Sequence, residues 1–195
     1  WIDLNIQIIV GSVRECRRGR AIGEWAYRVA SARKDMVVEL IDIKEWNLPM
    51  FDLAKPPIMG EYEPLQQRWA DKIKQADGYL FICPEYNHSF PASLKNALDY
   101  LYEEWGRKPA SCIGYGPSGG IRAVEQLRLV LVELNMAPLG SALHLFNVHK
   151  KIKNDLYHGD EKDAANLHRV LDDLLWWSHT LREGRQRVHP APSNE

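Results

Sequence analysis

Five apolar runs, each followed by a segment with helical periodicity, recur from one end of the chain to the other, and this alternation restricts the possible folds more than any other feature. The runs are LNIQIIV at 4–10, MVVELIDI at 36–43, GYLFIC at 78–83, ASCIGYG at 110–116 and GSALHLFNV at 140–148. They read as strands buried on both faces, because apolar residues follow one another without the polar alternation of a half-solvated strand. Between them, Ile22, Trp25, Ala26, Val29 and Ala30 repeat at the three-to-four spacing of one helical face within 20–33. Trp69, Ile73 and Ala76 do the same around 65–75, and helices are predicted over 91–105 and 121–134. Leu167, Val170, Leu171, Leu174, Leu175 and Ser178 form a stripe on a last helix over 162–182. Strand and helix in regular alternation predict an α/β protein: a doubly wound, five-stranded parallel sheet covered on both faces, three layers in all.

A length of 195 residues suits one buried core and is short for two. The expected domain is 1–183, with the polar, proline-containing 184–195 as a disordered tail. A net charge of −1 gives no general attraction to nucleic acid or to an anionic membrane. No run approaches the ~20 apolar residues of a membrane-spanning helix, and no basic-then-apolar leader pattern is visible, so neither anchor nor leader is expected. Cys16, Cys83 and Cys112 form no CxxC pair and no even framework, which points to a reducing cytoplasm.

In a doubly wound sheet, ligands sit at the carboxyl ends of the strands, which singles out the loops after strands one, three and four. The first, GSVRECRRGRAIGEW, is not GxGxxG and does not end in GK[ST], so the common dinucleotide and triphosphate fingerprints fail. It is still an anion site in kind. Gly11 lets the chain turn, Ser12 supplies a hydroxyl, Arg14, Arg17, Arg18 and Arg20 supply cationic donors, and the loop feeds a helix N-terminus. A solvated basic loop is the plain alternative, and spacing does not say which arginine points inward.

In the second loop, PEYNHSF, Pro84 fixes φ and lacks an N–H, and the amides of 85–89 suit a planar ring with polar edges. Tyr86 offers a flat surface and Asn87 both a donor and an acceptor. Each residue also has a structural use: Tyr86 in packing, Asn87 in a turn, His88 on the surface, Ser89 as a helix cap. Together, at a strand end, they point to a ligand. The third loop, YGPSGGIRAVEQ, sets Gly116, Gly119 and Gly120 around Ser118, where backbone can approach a ligand closely; a tight turn would need only one glycine.

The segments GSVR at 11–14, PEYNHSFPASLKNALDYL at 84–101 and SGG at 118–120 carry a resemblance. On them the chain resembles the NADPH-dependent FMN reductase family, of the flavodoxin-like fold, whose members include chromate-, azo- and quinone-reducing flavoenzymes. The resemblance spans about 4–181. It implies strand order 2-1-3-4-5, bound FMN, and NADPH or NADH as hydride donor. It also implies that Ser12 and Arg14 hold the FMN phosphate while Arg17, Arg18, Gly19 and Arg20 close around it. Pro84, Glu85, Tyr86 and Asn87 would line the flavin ring, largely through main-chain groups, and Ser118, Gly119 and Gly120 would border its other side. His88 would meet NADPH or the acceptor, or nothing. No catalytic side chain is implied, and donor and acceptor would react in turn on one flavin face. The acceptor would be a quinone, azo compound, metal oxyanion or free flavin. Family analogy implies a homodimer or homotetramer. An electron-transfer flavodoxin or a regulatory protein with little turnover would share the fold; the arginine-rich first loop and the near-neutral charge argue against the former.

Cys83 and Cys112, within strands, read as small core residues, while Cys16 in a basic loop is a candidate redox thiol without a resolving partner. The seven histidines show no metal-ligand spacing. Trp105, Trp176 and Trp177 read as exposed aromatics marking subunit contacts, with core packing the alternative.

Overall fold

A computed structural model of the chain describes residues 4–187. Strands β1 (Leu4–Val10), β2 (Met36–Asp42), β3 (Gly78–Pro84) and β4 (Pro109–Gly116) run parallel. The position beyond β4 is shared by two short segments, β5 (Ala137–Pro138) and β6 (Leu143–Phe146), both parallel to β4. The sheet order is therefore the expected 2-1-3-4-5. The fifth strand is shorter than the predicted 140–148. Its carbonyls at Gly140 and Ser141 accept from Arg128 Nη2 (2.9 Å) and Ser111 Oγ (2.6 Å), so the chain leaves the ladder between the two segments.

The continuous apolar strands divide residue by residue between two cores, as a period-two backbone requires. Ile6, Ile8 and Val10 of β1, with Leu80, Ile82 and Ile113, face α1 (Gly19–Ser31) and α6 (Glu161–Gln186). Ile9, Tyr79, Phe81, Cys83 and Cys112 face α3 (Pro64–Lys74), α4 (Ala92–Asp99) and α5 (Ile121–Glu133). A single turn of helix, α2 (Ile43–Trp46), follows β2 directly.

The predicted helix over 91–105 is a correction: α4 ends at Asp99. Side chains explain why it can stop after eight residues. At the helix end the carbonyls of Ala97, Leu98 and Tyr100 accept from Trp69 Nε1 (3.0 Å), Trp105 Nε1 (3.1 Å) and Gln66 Nε2 (2.7 Å). Trp105 is accordingly buried in the core rather than an exposed contact residue, whereas Trp176 and Trp177 are exposed on α6. The last helix runs beyond its predicted end to Gln186, into the segment expected to be a tail, and 188–195 lie outside the described residues. A small hairpin, β7 (Ile152–Lys153) and β8 (Leu156–Tyr157), turns through Asn154 and Asp155, both at positive φ, and sets Tyr157 edge-on against Trp25 at 5.2 Å. No helix among the described residues is long and apolar enough to cross a membrane.

Candidate active site

The carboxyl ends of β1, β3, β4 and β6 meet in one cleft of about 620 Å³, walled by the loops that follow them. Its lining from the first loop is Arg14, Cys16, Arg17 and Arg18; from the second, Pro84, Glu85 and Tyr86; from the third, Gly116 and Pro117. Tyr115 forms part of the wall, and the far side is Asn147, Val148 and His149.

In the first loop, Gly11 is tightly packed: a Cβ there would meet the Ile82 carbonyl oxygen at 3.1 Å and the Leu94 side chain at 3.2 Å. That close approach turns Ser12 inward, where it is fully buried. The hydroxyls of Ser12 and Tyr86 lie 2.6 Å apart, and Ser12 Oγ also accepts from the Arg14 N–H at 3.4 Å. The Arg14 guanidinium sits over the Tyr86 ring, 5.6 Å from its centroid. Arg17 and Arg20 are both ion-paired to buried Asp42. Among the described residues, Arg14 and Arg18 make no ion pair, so they are the loop cations open to a ligand. The helix α1 begins at Gly19 with no side-chain cap and no acidic residue in its first turn, which keeps that end electropositive.

The second loop is tighter than its sequence suggested. Tyr86 and Ser89 exchange N–H to carbonyl hydrogen bonds (2.9 and 3.1 Å), and Asn87 and His88 between them have φ of 50° and 75°. This is a two-residue turn of the mirror-image type that hairpins favour. The Glu85 N–H donates to the Tyr115 carbonyl at 3.1 Å. Of the amides expected to face a ring, those of Glu85, Tyr86 and Ser89 are thus already bonded. The Glu85 carboxylate turns away to the start of α5, accepting from the Arg122 N–H at 3.2 Å and pairing with the Arg122 guanidinium. Asn87 and His88 are exposed at the turn tip and do not line the cleft.

In the third loop, Gly119 and Gly120 take φ of 66°, and a Cβ on Gly120 would meet the Tyr115 nitrogen at 2.5 Å. A Cβ on Gly119 would strike the Phe146 ring at 2.7 Å, and the Gly119 carbonyl lies 2.9 Å from His144 Nδ1. These glycines shape the turn and pack behind it. With Ser118, they stand outside the cleft lining, and Gly116 and Pro117 occupy the place expected of them.

Tyr115, Asn147, Val148 and His149 were not anticipated. The strand-end rule applied to the fifth strand would have found the last three, since NVHK follows β6 directly. Burial pushes the Tyr115 hydroxyl up, and that hydroxyl lies against the start of α1, where a Cβ on Gly19 would meet it at 2.6 Å. Cys83 and Cys112 are buried, and burial pushes Cys112 up to about 12, so both are core thiols; Cys16 is exposed. Among the described residues there is no cluster of histidine, cysteine or acidic side chains able to hold a metal.

A parallel sheet of this order with one cleft at its carboxyl rim, lined by arginines of the first loop and by tyrosine and proline of the others, defines a flavodoxin-like mononucleotide-binding protein. Residues 4–171 match the family model for NADPH-dependent FMN reductase, and the chain belongs to that family. An NAD(P)H-dependent FMN reductase of Schizosaccharomyces pombe is 39% identical over 149 residues, covering 74% of each chain. A quinone reductase of Pseudomonas putida is 30% identical over 188 residues, covering 89% of this chain and 94% of the other. A solved flavoenzyme NAD(P)H:(acceptor) oxidoreductase of Paracoccus denitrificans, FerB, aligns with a TM-score of 0.72 at 25% identity, covering 91% of this chain and 98% of that one.

Proposed function

We propose that this chain is an FMN-dependent oxidoreductase that takes hydride from NAD(P)H and delivers it to a small planar acceptor, most readily a quinone. The observation that carries the reading is the meeting of three strand-end loops in one cleft lined both by arginines and by tyrosine and proline. Arg14 and Arg18 and the uncapped start of α1 suit a phosphate monoester. Pro84, Tyr86, Tyr115, Gly116 and Pro117 supply flat, largely apolar walls that suit a tricyclic ring. Gly116, at φ 150°, keeps the wall beside Glu85 free of a side chain.

FMN, when bound, supplies the hydride-accepting and hydride-donating ring. The chain's own task is to bind, orient and exclude water. Arg14, in the cleft lining, would hold the phosphate, and Ser12, buried outside that lining, would join it once its hydroxyl turns from Tyr86. Tyr86 links these two residues to the ring walls, because its hydroxyl meets Ser12 and its ring underlies Arg14. The α5 N-terminus is already neutralised by Glu85, so the electropositive field at the rim comes chiefly from α1 and the first loop. Asn147 and His149, which also line the cleft, would meet the nicotinamide donor or the acceptor. Donor and acceptor share this one opening, so they would enter in turn, and steady-state lines at several acceptor concentrations should be parallel. The quinone and acceptor activities of the relatives named above support the choice of acceptor class. A homodimer or homotetramer is part of the proposal, supported by exposed Met50, Ile58 and Met59 on one loop and Trp176 and Trp177 on α6. A cytoplasmic location is proposed from the unpaired cysteines. The test is NADPH oxidation by FMN-loaded protein with and without a benzoquinone. Quinone-dependent turnover with parallel lines supports the reading; bound FMN without turnover would favour the electron-transfer or regulatory alternative.

A further inference from the structure

One buried carboxylate reaches the arginine loop of the cleft from behind. Asp42 is the last residue of β2 and its side chain is wholly shielded from solvent. Its Oδ2 accepts from Arg17 Nη2 and, at 3.1 Å, from Arg20 Nη1, while its Oδ1 accepts from the Lys44 N–H at 3.1 Å. Arg17 passes the contact forward: its Nη1 donates to the Arg14 carbonyl at 3.4 Å, and the same carbonyl accepts the Arg17 N–H at 3.3 Å. Arg20 spreads sideways to Glu24 (2.7 Å) and Glu45 (2.8 Å). The end of β2 therefore pins the segment 14–20 at two points.

Two details argue that this is more than a stabilising ion pair. Arg17 Nε is buried without a hydrogen-bond partner, so the guanidinium is held where Asp42 and the Arg14 carbonyl want it rather than where all its donors would be satisfied. Asp42 also sorts the loop's charges. It engages Arg17 and Arg20, and leaves Arg14 and Arg18 as the cleft-lining arginines free of ion pairs among the described residues.

We infer that Asp42 is a positioning residue for phosphate recognition, acting through Arg17 and Arg20 to fix the loop that presents Arg14, Arg18 and the start of α1 to an anion. The inference rests on the FMN reading of the cleft. Riboflavin, with the same ring and no phosphate, separates the two ideas. Wild-type protein should bind FMN at least about tenfold more tightly than riboflavin, as a charge-assisted phosphate contact implies. In Asp42→Asn, FMN affinity should fall roughly tenfold while riboflavin affinity stays within about twofold. Asp42→Glu should recover much of the loss. Because Asp42 acts through Arg17 and Arg20, adding Asp42→Asn to the double variant Arg17→Gln, Arg20→Gln should weaken FMN binding no further. The triple variant leaves neither guanidinium without its carboxylate, so it serves if Asp42→Asn does not fold; a further loss beyond the arginine double variant would then contradict the inference. Equal losses for FMN and riboflavin, or an unchanged ratio in Asp42→Asn, would show that Asp42 only stabilises the fold. Wild-type protein that binds neither flavin removes the cofactor reading itself, and the inference with it.

Discussion

The hydroxyls of Ser12 and Tyr86, 74 residues apart in sequence, stand 2.6 Å from one another and join the first strand-end loop to the second. This contact makes one site of two loops: the residue that would hold a phosphate is fastened to the residue that would wall a ring. Tyr86→Phe keeps the ring beneath Arg14 and removes only this link. The expected cost is about 1 kcal/mol of stability, read from denaturant unfolding of the FMN-free protein. FMN affinity should hold or rise, because the Ser12 hydroxyl is released for the ligand. A clear fall in affinity would mean that the Tyr86 hydroxyl itself binds the cofactor.

The same logic of one group serving two elements appears at Asn96. Its Oδ1 accepts from the Phe51 N–H and its Nδ2 donates to the Pro49 carbonyl, both at 2.8 Å, and the Tyr100 hydroxyl donates to that carbonyl at 2.9 Å. A motif residue on α4 thus holds the long loop after α2. Asn96→Ala should cost about 2–3 kcal/mol, since two bonds are lost and backbone groups are left unpaired. Proteolysis should quicken within 49–63, and a fragment pattern unchanged from wild type would contradict this.

Thiol chemistry offers a count. Cys16 is exposed on the cleft wall, and Cys83 and Cys112 are buried with their thiols pushed up by burial. A charged disulfide reagent should label one thiol in the native protein and three after denaturation. Added FMN should slow the native labelling. Labelling of two or more native thiols would contradict the packing of β3 and β4.

Lys108 supplies a pH dependence. Its ammonium is buried at the end of α3, donating to the carbonyls of Ile73 (3.3 Å) and Lys74 (3.2 Å) and to the Tyr79 hydroxyl (3.1 Å). Burial and nearby Arg185 pull its pKa from the ordinary 10.5 down to about 7. Between those values the unfolded chain binds the extra proton, so stability rises with pH from about 7 towards 10. The slope from this group is bounded by ~1.4 kcal/mol per pH unit. Thermal midpoints of wild type and Lys108→Met measured across that range should diverge, with wild type gaining as pH rises relative to the variant. Parallel profiles would show that Lys108 keeps its ordinary proton affinity.

Much of this was legible in the sequence because the apolar runs of β1, β3 and β4 are nearly unbroken and alternate with helical segments, the pattern of parallel strands covered on both faces. The early end of α4 was not, since it depends on Trp69, Gln66 and Trp105 arriving from other elements to satisfy its last carbonyls. Nor was the division of labour among Arg14, Arg17, Arg18 and Arg20. Spacing identified a cationic loop, but only the position of Asp42 across the β1–β2 pair decides which arginines are engaged. In the second loop the local residue types were read as ligand-facing, yet Asn87 and His88 serve a turn whose hydrogen bonds consume two of the expected amides. The hairpin at Asn154 and Asp155 carried a turn signal in KNDL, but its strands are too short for a periodic pattern.

The most direct test is to titrate the purified protein with FMN and then add NADPH without oxygen. A saturable site of one FMN per chain, whose visible flavin band bleaches with NADPH and returns on adding a quinone, is the predicted result. Protein that takes up no FMN, or whose bound FMN keeps its colour in the presence of NADPH and NADH alike, would contradict the account.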